Sequence, residues 1–436
     1  MDISRRRFLA TPVVVGGALA SGGLLSALAA DTAALPDLAS WDAVRKQFSL
    51  DPAWMHFASF FIASHPAPVR DAIDTWRRTM DHNPFHVIEQ GMFEDEAHNI
   101  PLKVQATIGR YLGGRGEDVA LVRSTTEALA LAWLGLPLKP GDEALVTTHD
   151  HYSHHEAIRF ATQRSGATTR RVSLYDDAAD ASVDSLVQRL LAGVGPKTRV
   201  VGLTWVHSST GMRLPVRELV QALKAKHPDV LVVLDGVHGI GAVDETIATM
   251  GADYVCAGCH KWMFAPRGTG LLWSTAEGWA RLRPLVPNFS DLESYNAWAE
   301  EREPTGPTTA ARMAPGGFHA FEHQWAMDAA FRMHEAMGRG RVAGRIAELN
   351  TRLKQQLAGH RKIRIHTPVS PALSAGLVAF EIDGLSPQDI VKRLGEQHII
   401  ASTSPYAKPY ARLAPSLVNT PEEVDRAARA TLALAG

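Results

Sequence analysis

Between about Asp95 and Pro284 the chain alternates short aliphatic or β-branched runs with helical stretches. The strand candidates include Ala144 to Thr148, Arg199 to Trp205, Val230 to Leu234, Tyr254 to Ala257 and Gly270 to Trp273. Strands separated by helix-length segments cannot pair through tight hairpins, so the pattern predicts a mainly parallel sheet with helices on both faces. Ligands of such sheets gather at the carboxyl ends of the strands, and chemistry is to be sought in the residues that follow those ends. A stretch rich in Pro, Thr and Gly from Glu303 to Gly317 leads into a long helical pattern from about Phe321 to Leu357. Beyond it, strands at Ile363 to His366 and Leu377 to Ile382 alternate with helices near Pro387 to Gln397 and Pro421 to Leu434. The expected architecture is therefore α/β in two lobes. An arm over 31–94 joins part of the small lobe, a large domain spans 95–300, a loop spans 301–320, and a small α/β domain spans 321–436.

The 436 residues are 45% hydrophobic, enough for one large and one small core. Lys plus Arg number 45 against 46 acidic residues, so no field of one sign exists to draw nucleic acid or an anionic membrane. Two cysteines, Cys256 and Cys259, are too few for a disulfide framework. At the N-terminus, Ser4-Arg5-Arg6-Arg7-Phe8-Leu9 precedes an apolar run from Val13 to Leu28, with Ala27-Leu28-Ala29 as a small-x-small cleavage pattern. Residues 1–30 resemble a twin-arginine export signal, which implies passage through the twin-arginine translocase and a periplasmic location. That route carries proteins already folded, commonly with a cofactor in place.

Two neighbouring strand ends carry the chemistry. Val232-Val233-Leu234 runs into Asp235-Gly236-Val237-His238, and some 26 residues later a strand ends in Cys259-His260-Lys261-Trp262. An aldehyde cofactor needs such a lysine, whose amine forms an imine, exchanges with a substrate amine and then moves protons at the α-carbon. The carboxylate belongs at the ring nitrogen of that cofactor. Each residue also has a plainer reading. A lysine after a strand is commonly a solvated charge, and Ser124-Thr125-Thr126 at a helix start caps the helix as readily as it holds a phosphate. His149, His151, His154 and His155, with Cys256 and Cys259, could be imagined as zinc ligands. The two cysteines could form a redox pair or simply be buried along a strand.

The order of these motifs is specific. Asp235 to Gly270, with His260-Lys261-Trp262 followed by Ala265-Pro266-Arg267-Gly268-Thr269-Gly270, resembles the fold-type I pyridoxal phosphate enzymes of the class V aminotransferase group, close to isopenicillin N epimerases and cysteine desulfurases. The resemblance covers nearly all of the mature chain. It implies a fold-type I transferase, with a mainly parallel sheet of the seven-stranded type and a small C-terminal α/β domain, acting as a homodimer on an amino acid. It further implies Lys261 as the Schiff-base lysine, Asp235 at the pyridine nitrogen, and Thr125, Thr126 and His260 at the phosphate. His151 would stack on the cofactor ring, His238 would stand near its 3-hydroxyl, and Arg412 would grip the substrate α-carboxylate. Ser208 occupies a position that desulfurases give to Asn. Gly316-Gly317 replaces a Gly-Thr whose hydroxyl relatives send across the dimer to the phosphate, a contact a backbone amide could supply here.

Family membership fixes the cofactor better than the reaction. Ile400-Ala401-Ser402-Thr403-Ser404 leads to Tyr406 and Tyr410 without the thiol of a desulfurase. Phe57-Ala58-Ser59-Phe60 through Ser64-His65-Pro66, Asp235 to Gly239, Ala314 to His323 and Arg412 to Ser416 resemble a narrower group, the exported enzymes that modify the glutamyl side arm of pyoverdine siderophores. The expected reaction is periplasmic transamination or oxidative deamination of a glutamyl-type group, with or without decarboxylation. The alternatives are an epimerase, a carbon-sulfur lyase, and a non-catalytic binding protein that keeps an inherited fold.

Overall fold

The computed structural model describes residues 35–94, 97–289 and 291–436, and residues 1–30, which resemble an export signal, lie outside them. After a two-residue strand β1 (Met55–His56), the large lobe is built on β2 (Val119–Val122), β3 (Glu143–Thr147), β4 (Thr168–Val172), β5 (Thr198–Thr204), β6 (Leu231–Asp235), β7 (Tyr254–Gly258) and β8 (Gly270–Ser274). They form one seven-stranded sheet in the order β2-β8-β7-β6-β5-β3-β4. β8 is antiparallel to β2 and β7, and the remaining pairs are parallel. The central strands are buried along almost their whole length, as a sheet covered on both faces requires. β4, Thr-Thr-Arg-Arg-Val, is absent from the strands expected because it is polar, and its place at the sheet edge explains why it can be.

The helix Thr125–Gly135 is apolar nearly all round and buries Leu129, Leu131 and Trp133 between sheet and neighbouring helices. Its N-terminus is fixed by Ser124, whose Oγ accepts the Glu127 amide at 3.1 Å. The long pattern from Phe321 to Leu357 is broken into three helices, Phe321–Trp325, Met327–Met337 and Arg339–Leu357. The second break falls at Gly338, where φ is +82°, a backbone that side-chain-bearing residues rarely adopt. Helix Ala67–His82 and the chain from Phe321 to Ile346 pack into the large lobe, with Trp76 meeting Trp325 edge to face at 5.0 Å. From Leu349 onward the last of these three helices packs into the core of the small lobe, which also takes in Met55 and Phe57.

The small lobe holds an antiparallel sheet of β9 (Ile363–Ile365), β10 (Val378–Ile382), β12 (Ser402–Thr403) and β13 (Ala411–Leu413), in the order β12-β13-β10-β9. β11 (Ile399–Ile400) instead pairs in parallel with β1, and Phe57 accepts the Ala414 amide at 2.8 Å. The N-terminal arm is thereby stitched to the lobe that carries Arg412. Among the described residues no helix is long and apolar enough to cross a membrane.

The turn that leaves β6 depends on close packing. A Cβ on Gly239 would stand 2.0 Å from Cε3 of the buried Trp205. Gly239→Ala is expected to lower stability by about 1–3 kcal/mol through overpacking. The measurement is the denaturant midpoint at constant slope; an unmoved midpoint would mean that Trp205 yields without cost.

Candidate active site

β6 and β7 are neighbours in the sheet, so their carboxyl ends deliver Asp235 and the Cys259-His260-Lys261 turn to one place. Asp235 is 2% exposed, and its Oδ1 accepts the Val237 amide at 3.1 Å. Burial pushes its carboxyl up to about 6, against that hydrogen bond and the nearby Lys261. Among the described residues no cation lies within ion-pair distance of it. Lys261 Nζ stands 3.1 Å from His238 Nε2, and the Trp262 indole N–H donates to His238 Nδ1 at 3.2 Å.

That second bond sets the first. An indole nitrogen only donates, so His238 Nδ1 presents a lone pair, and the proton of the neutral imidazole sits on Nε2. The Nε2–H then points at Lys261 and can bond only to the lone pair of an uncharged amine. Burial drives Lys261 the same way, lowering it to about 8 against the pull of Asp235 and with help from Arg412. Burial also holds His238 well below its ordinary value, which keeps the imidazole neutral.

The opposite end of the site is lined by the helix start at Thr125. Thr125 is buried and its Oγ1 accepts the Gly258 amide at 2.7 Å; Thr126 is exposed on the same first turn. His260 Nδ1 is buried without a partner. A Cβ on Gly258 would lie 2.8 Å from His260 Cε1 and 3.0 Å from Thr125 Oγ1, so only glycine lets these groups converge. His151 caps helix Tyr152–Ser165 through its Nδ1, and burial, Lys261 and Arg412 all lower its pKa. The histidines around it diverge: His149 stacks on Tyr175 at 3.7 Å, His154 is buried against Trp133, and His155 reaches the Thr147 carbonyl at 2.8 Å. Among the described residues no three His, Cys, Asp or Glu side chains converge on a metal site. Cys256 and Cys259 are unbridged and buried, and burial pushes both thiols up.

Arg412 comes from the small lobe. It is 4% exposed and sits 4.7 Å over the Phe60 ring. Its Nη1 donates to the Ser208 carbonyl at 2.5 Å, Nη2 to the Thr403 carbonyl at 3.0 Å and Nε to Ser402 Oγ at 3.2 Å. Three of the five N–H groups of a guanidinium are thus engaged and two remain, one on each Nη. Among the described residues no carboxylate pairs with it. Ser208 offers its carbonyl to Arg412 and its hydroxyl to Tyr406, at 2.7 Å.

These groups fit pyridoxal phosphate. A buried carboxylate without a cation suits the pyridine nitrogen, an unpartnered His260 nitrogen beside a helix N-terminus suits the phosphate, and a neutral amine suits the aldehyde. Fold and site together define a fold-type I pyridoxal phosphate enzyme. The chain belongs to the Aminotransferase class-V family, whose model matches residues 63–430. It is 28% identical over 346 residues to the isopenicillin N epimerase of Amycolatopsis lactamdurans, covering 79% of this chain and 85% of that one. With the isopenicillin N epimerase of Streptomyces clavuligerus the identity is 26%, covering 92% and 99%. Among solved structures, the apo cysteine desulfurase from Thermococcus onnurineus superposes with a TM-score of 0.78 at 20% identity, covering 92% of this chain and 99% of that one. A C-DES mutant with glycine covalently linked to its PLP cofactor superposes with a TM-score of 0.76 at 21% identity, covering 89% and 98%.

Trp262, Phe60 and Tyr406 also belong to the site, through His238, Arg412 and Ser208. Trp262 stands in the quoted motif, but nothing in one sequence says that its indole meets His238. Two outcomes are expected. Capture of pyridoxal phosphate by apoprotein, followed by visible absorbance, is fastest where Lys261 is neutral, so its rate rises about tenfold from pH 7 to 9 and then levels off. A rate still climbing tenfold per unit at pH 9.5 would return Lys261 to ordinary lysine behaviour. In Trp262→Phe, His238 can turn its Nε2 lone pair toward an ammonium, and the apparent pKa of this profile should rise by about one unit.

Proposed function

We propose that this enzyme, exported by the twin-arginine route to the periplasm and working as a homodimer, acts on the free α-amino acid end of a glutamyl-type side arm of a secondary metabolite such as the siderophore pyoverdine. The reaction is transamination or oxidative deamination, with or without loss of carbon dioxide. The single observation that carries the reading is Arg412, a buried guanidinium without a carboxylate and with one N–H left on each Nη, the geometry of a two-pronged grip on an α-carboxylate. Support against sulfur chemistry comes from the 400–410 segment, which offers hydroxyls and phenols, and from two thiols that burial holds protonated. Exposed Phe289 and Phe318, with rings 5.8 Å apart beside Gly316-Gly317, suit a second protomer.

When bound, pyridoxal phosphate supplies the electron sink that lets an α-carbon release a proton or a carboxylate. Asp235 holds the ring-nitrogen end of the site negative. Arg412 fixes the substrate carboxylate, and with it the orientation of the α-carbon bonds toward Lys261. Lys261, whose uncharged form is favoured by burial and by the His238 Nε2–H, takes the α-proton and returns it. Ser208 and Tyr406 close the site beside Arg412. In transamination a second keto acid accepts the amine; in oxidative deamination dioxygen is reduced to hydrogen peroxide, water supplies the keto oxygen and ammonia leaves.

Epimerisation is the second reading, favoured by the two isopenicillin N epimerases that match 79% and 92% of the chain. Mass spectrometry after incubation with γ-glutamyl peptides separates the two: loss of nitrogen or carbon dioxide supports the first, and deuterium uptake at an otherwise unchanged α-carbon the second. Lys261→Ala should abolish the visible band, and wild-type protein that stays colourless with the cofactor overturns both readings. Arg412→Lys should lower kcat/KM for α-carboxylate substrates about 100-fold, the size of a lost charge-assisted bidentate contact. It should spare an amine lacking that carboxylate.

A further inference from the structure

A roomy cavity stands apart from Lys261. It lies next door, about 630 Å³ in volume, between the chain that follows β4 in the large lobe and the 406–410 segment of the small lobe. That volume suits a ligand of several hundred daltons and far exceeds the needs of one amino acid. Lys261, Asp235 and Arg412 are not among its walls. Tyr406 is, and the same side chain bonds Ser208 Oγ at 2.7 Å and faces His151 across 6.3 Å. Ser209, next to the Ser208 whose carbonyl holds Arg412, is a wall residue too. The cavity and the site are adjoining rooms with Tyr406 as the partition.

The walls of the cavity carry their own counter-charges. Arg189 is held by Asp176 through bonds of 3.1 and 2.6 Å, and Arg364 is held by Asp177. His366 reaches Glu381 at 2.6 Å. No wall arginine is left free for an anion, in contrast to Arg412. Lys408 stands 3.9 Å from the same Glu381, and Asp180 adds its charge to that of Asp177 near Arg364; hydroxyls and flat rings, among them Thr210, Tyr406 and Tyr410, make up much of the rest. Such walls suit an uncharged body rich in hydrogen-bonding groups, which is the character of a peptide.

We infer that this cavity is a binding annex for the amide-linked body of a peptidic substrate, joined to the reacting amino acid through its side chain. The attachment follows from the site. With the α-amine at Lys261 and the α-carboxylate on Arg412, the side chain is the only substituent free to pass Tyr406. The inference rests on reading the Arg412 site as one for a free α-amino acid end.

The experiment uses the cofactor-loaded enzyme with two probes, free glutamate and a γ-glutamyl tripeptide. Binding is measured by calorimetry and turnover by mass spectrometry. The annex is filled from either lobe by Ser185→Trp or Ala407→Trp, neither of which touches the reacting groups, and thermal unfolding and the visible band verify that each variant is folded and loaded. Wild-type enzyme should bind the tripeptide at least about tenfold more tightly than glutamate. Both variants should lose that advantage and keep their affinity for glutamate. Equal binding of the two probes by wild-type enzyme, or an advantage that survives both tryptophans, overturns the annex. Preferential binding that the tryptophans remove, without loss of nitrogen or carbon dioxide, leaves the annex standing and sinks the proposed reaction instead.

Discussion

Two opposite charges are buried in one site and do not meet. Asp235 at the end of β6 and Arg412 on β13 are both almost wholly withdrawn from water, and among the described residues neither has an ion-pair partner. A charge buried without compensation costs several kcal/mol, and each is here only partly offset by hydrogen bonds, one amide for Asp235 and three acceptors for Arg412. A ligand that brings a cation to the first and an anion to the second relieves both costs at once. A pyridinium nitrogen and an α-carboxylate do that, so binding and stability are linked in this fold. Because the Arg412 acceptors include the Ser208 carbonyl of the large lobe, the same relief holds the lobes together.

The amine between these charges is governed by packing two layers away. The indole that fixes the His238 tautomer packs against the chain at Gly376, and the Trp262 backbone packs against the chain at Gly241. A Cβ at Gly376, where φ is +72°, would lie 2.5 Å from Trp262 Cζ2, and one at Gly241, where φ is +85°, would lie 2.7 Å from the Trp262 carbonyl carbon. Both glycines adopt the left-handed backbone that lets the chain approach this closely. The position of one proton on His238, and with it the state of Lys261, thus follows from how tightly a tryptophan is packed.

The parallel strands were readable because each is a run of Val, Leu and Ile buried on both faces, and Asp235 and Lys261 because each follows such a run. The resemblance carried Thr125, His151, His238, His260 and Arg412 to positions the fold gathers around them, but Thr126 is exposed on the same turn. What could not be read was non-local or too short to have a period. β1 and β11 are two residues each and pair across some 340 residues, and Arg412 finds the Ser208 carbonyl across 204. The helical period from Phe321 to Leu357 runs on through breaks at Ala326 and Gly338, since hydrophobic spacing reports a face and not a bend. Tyr406 was noticed only as a position without a thiol, because a single sequence does not tell which side chain a segment turns inward.

The same segment bears on which reactions the site can run. Burial pushes the Tyr406 phenol up to about 12, so it stays protonated and serves as a hydrogen-bonding wall in place of a nucleophile. His151 spends its Nδ1 on the cap at Ser153, and burial and two nearby cations disfavour its protonated form. Lys261, lowered to about 8, is therefore the group best matched to moving protons near neutral pH. Proton transfer at the α-carbon thus falls to Lys261, while Tyr406 and His151 are held in roles that do not compete with it.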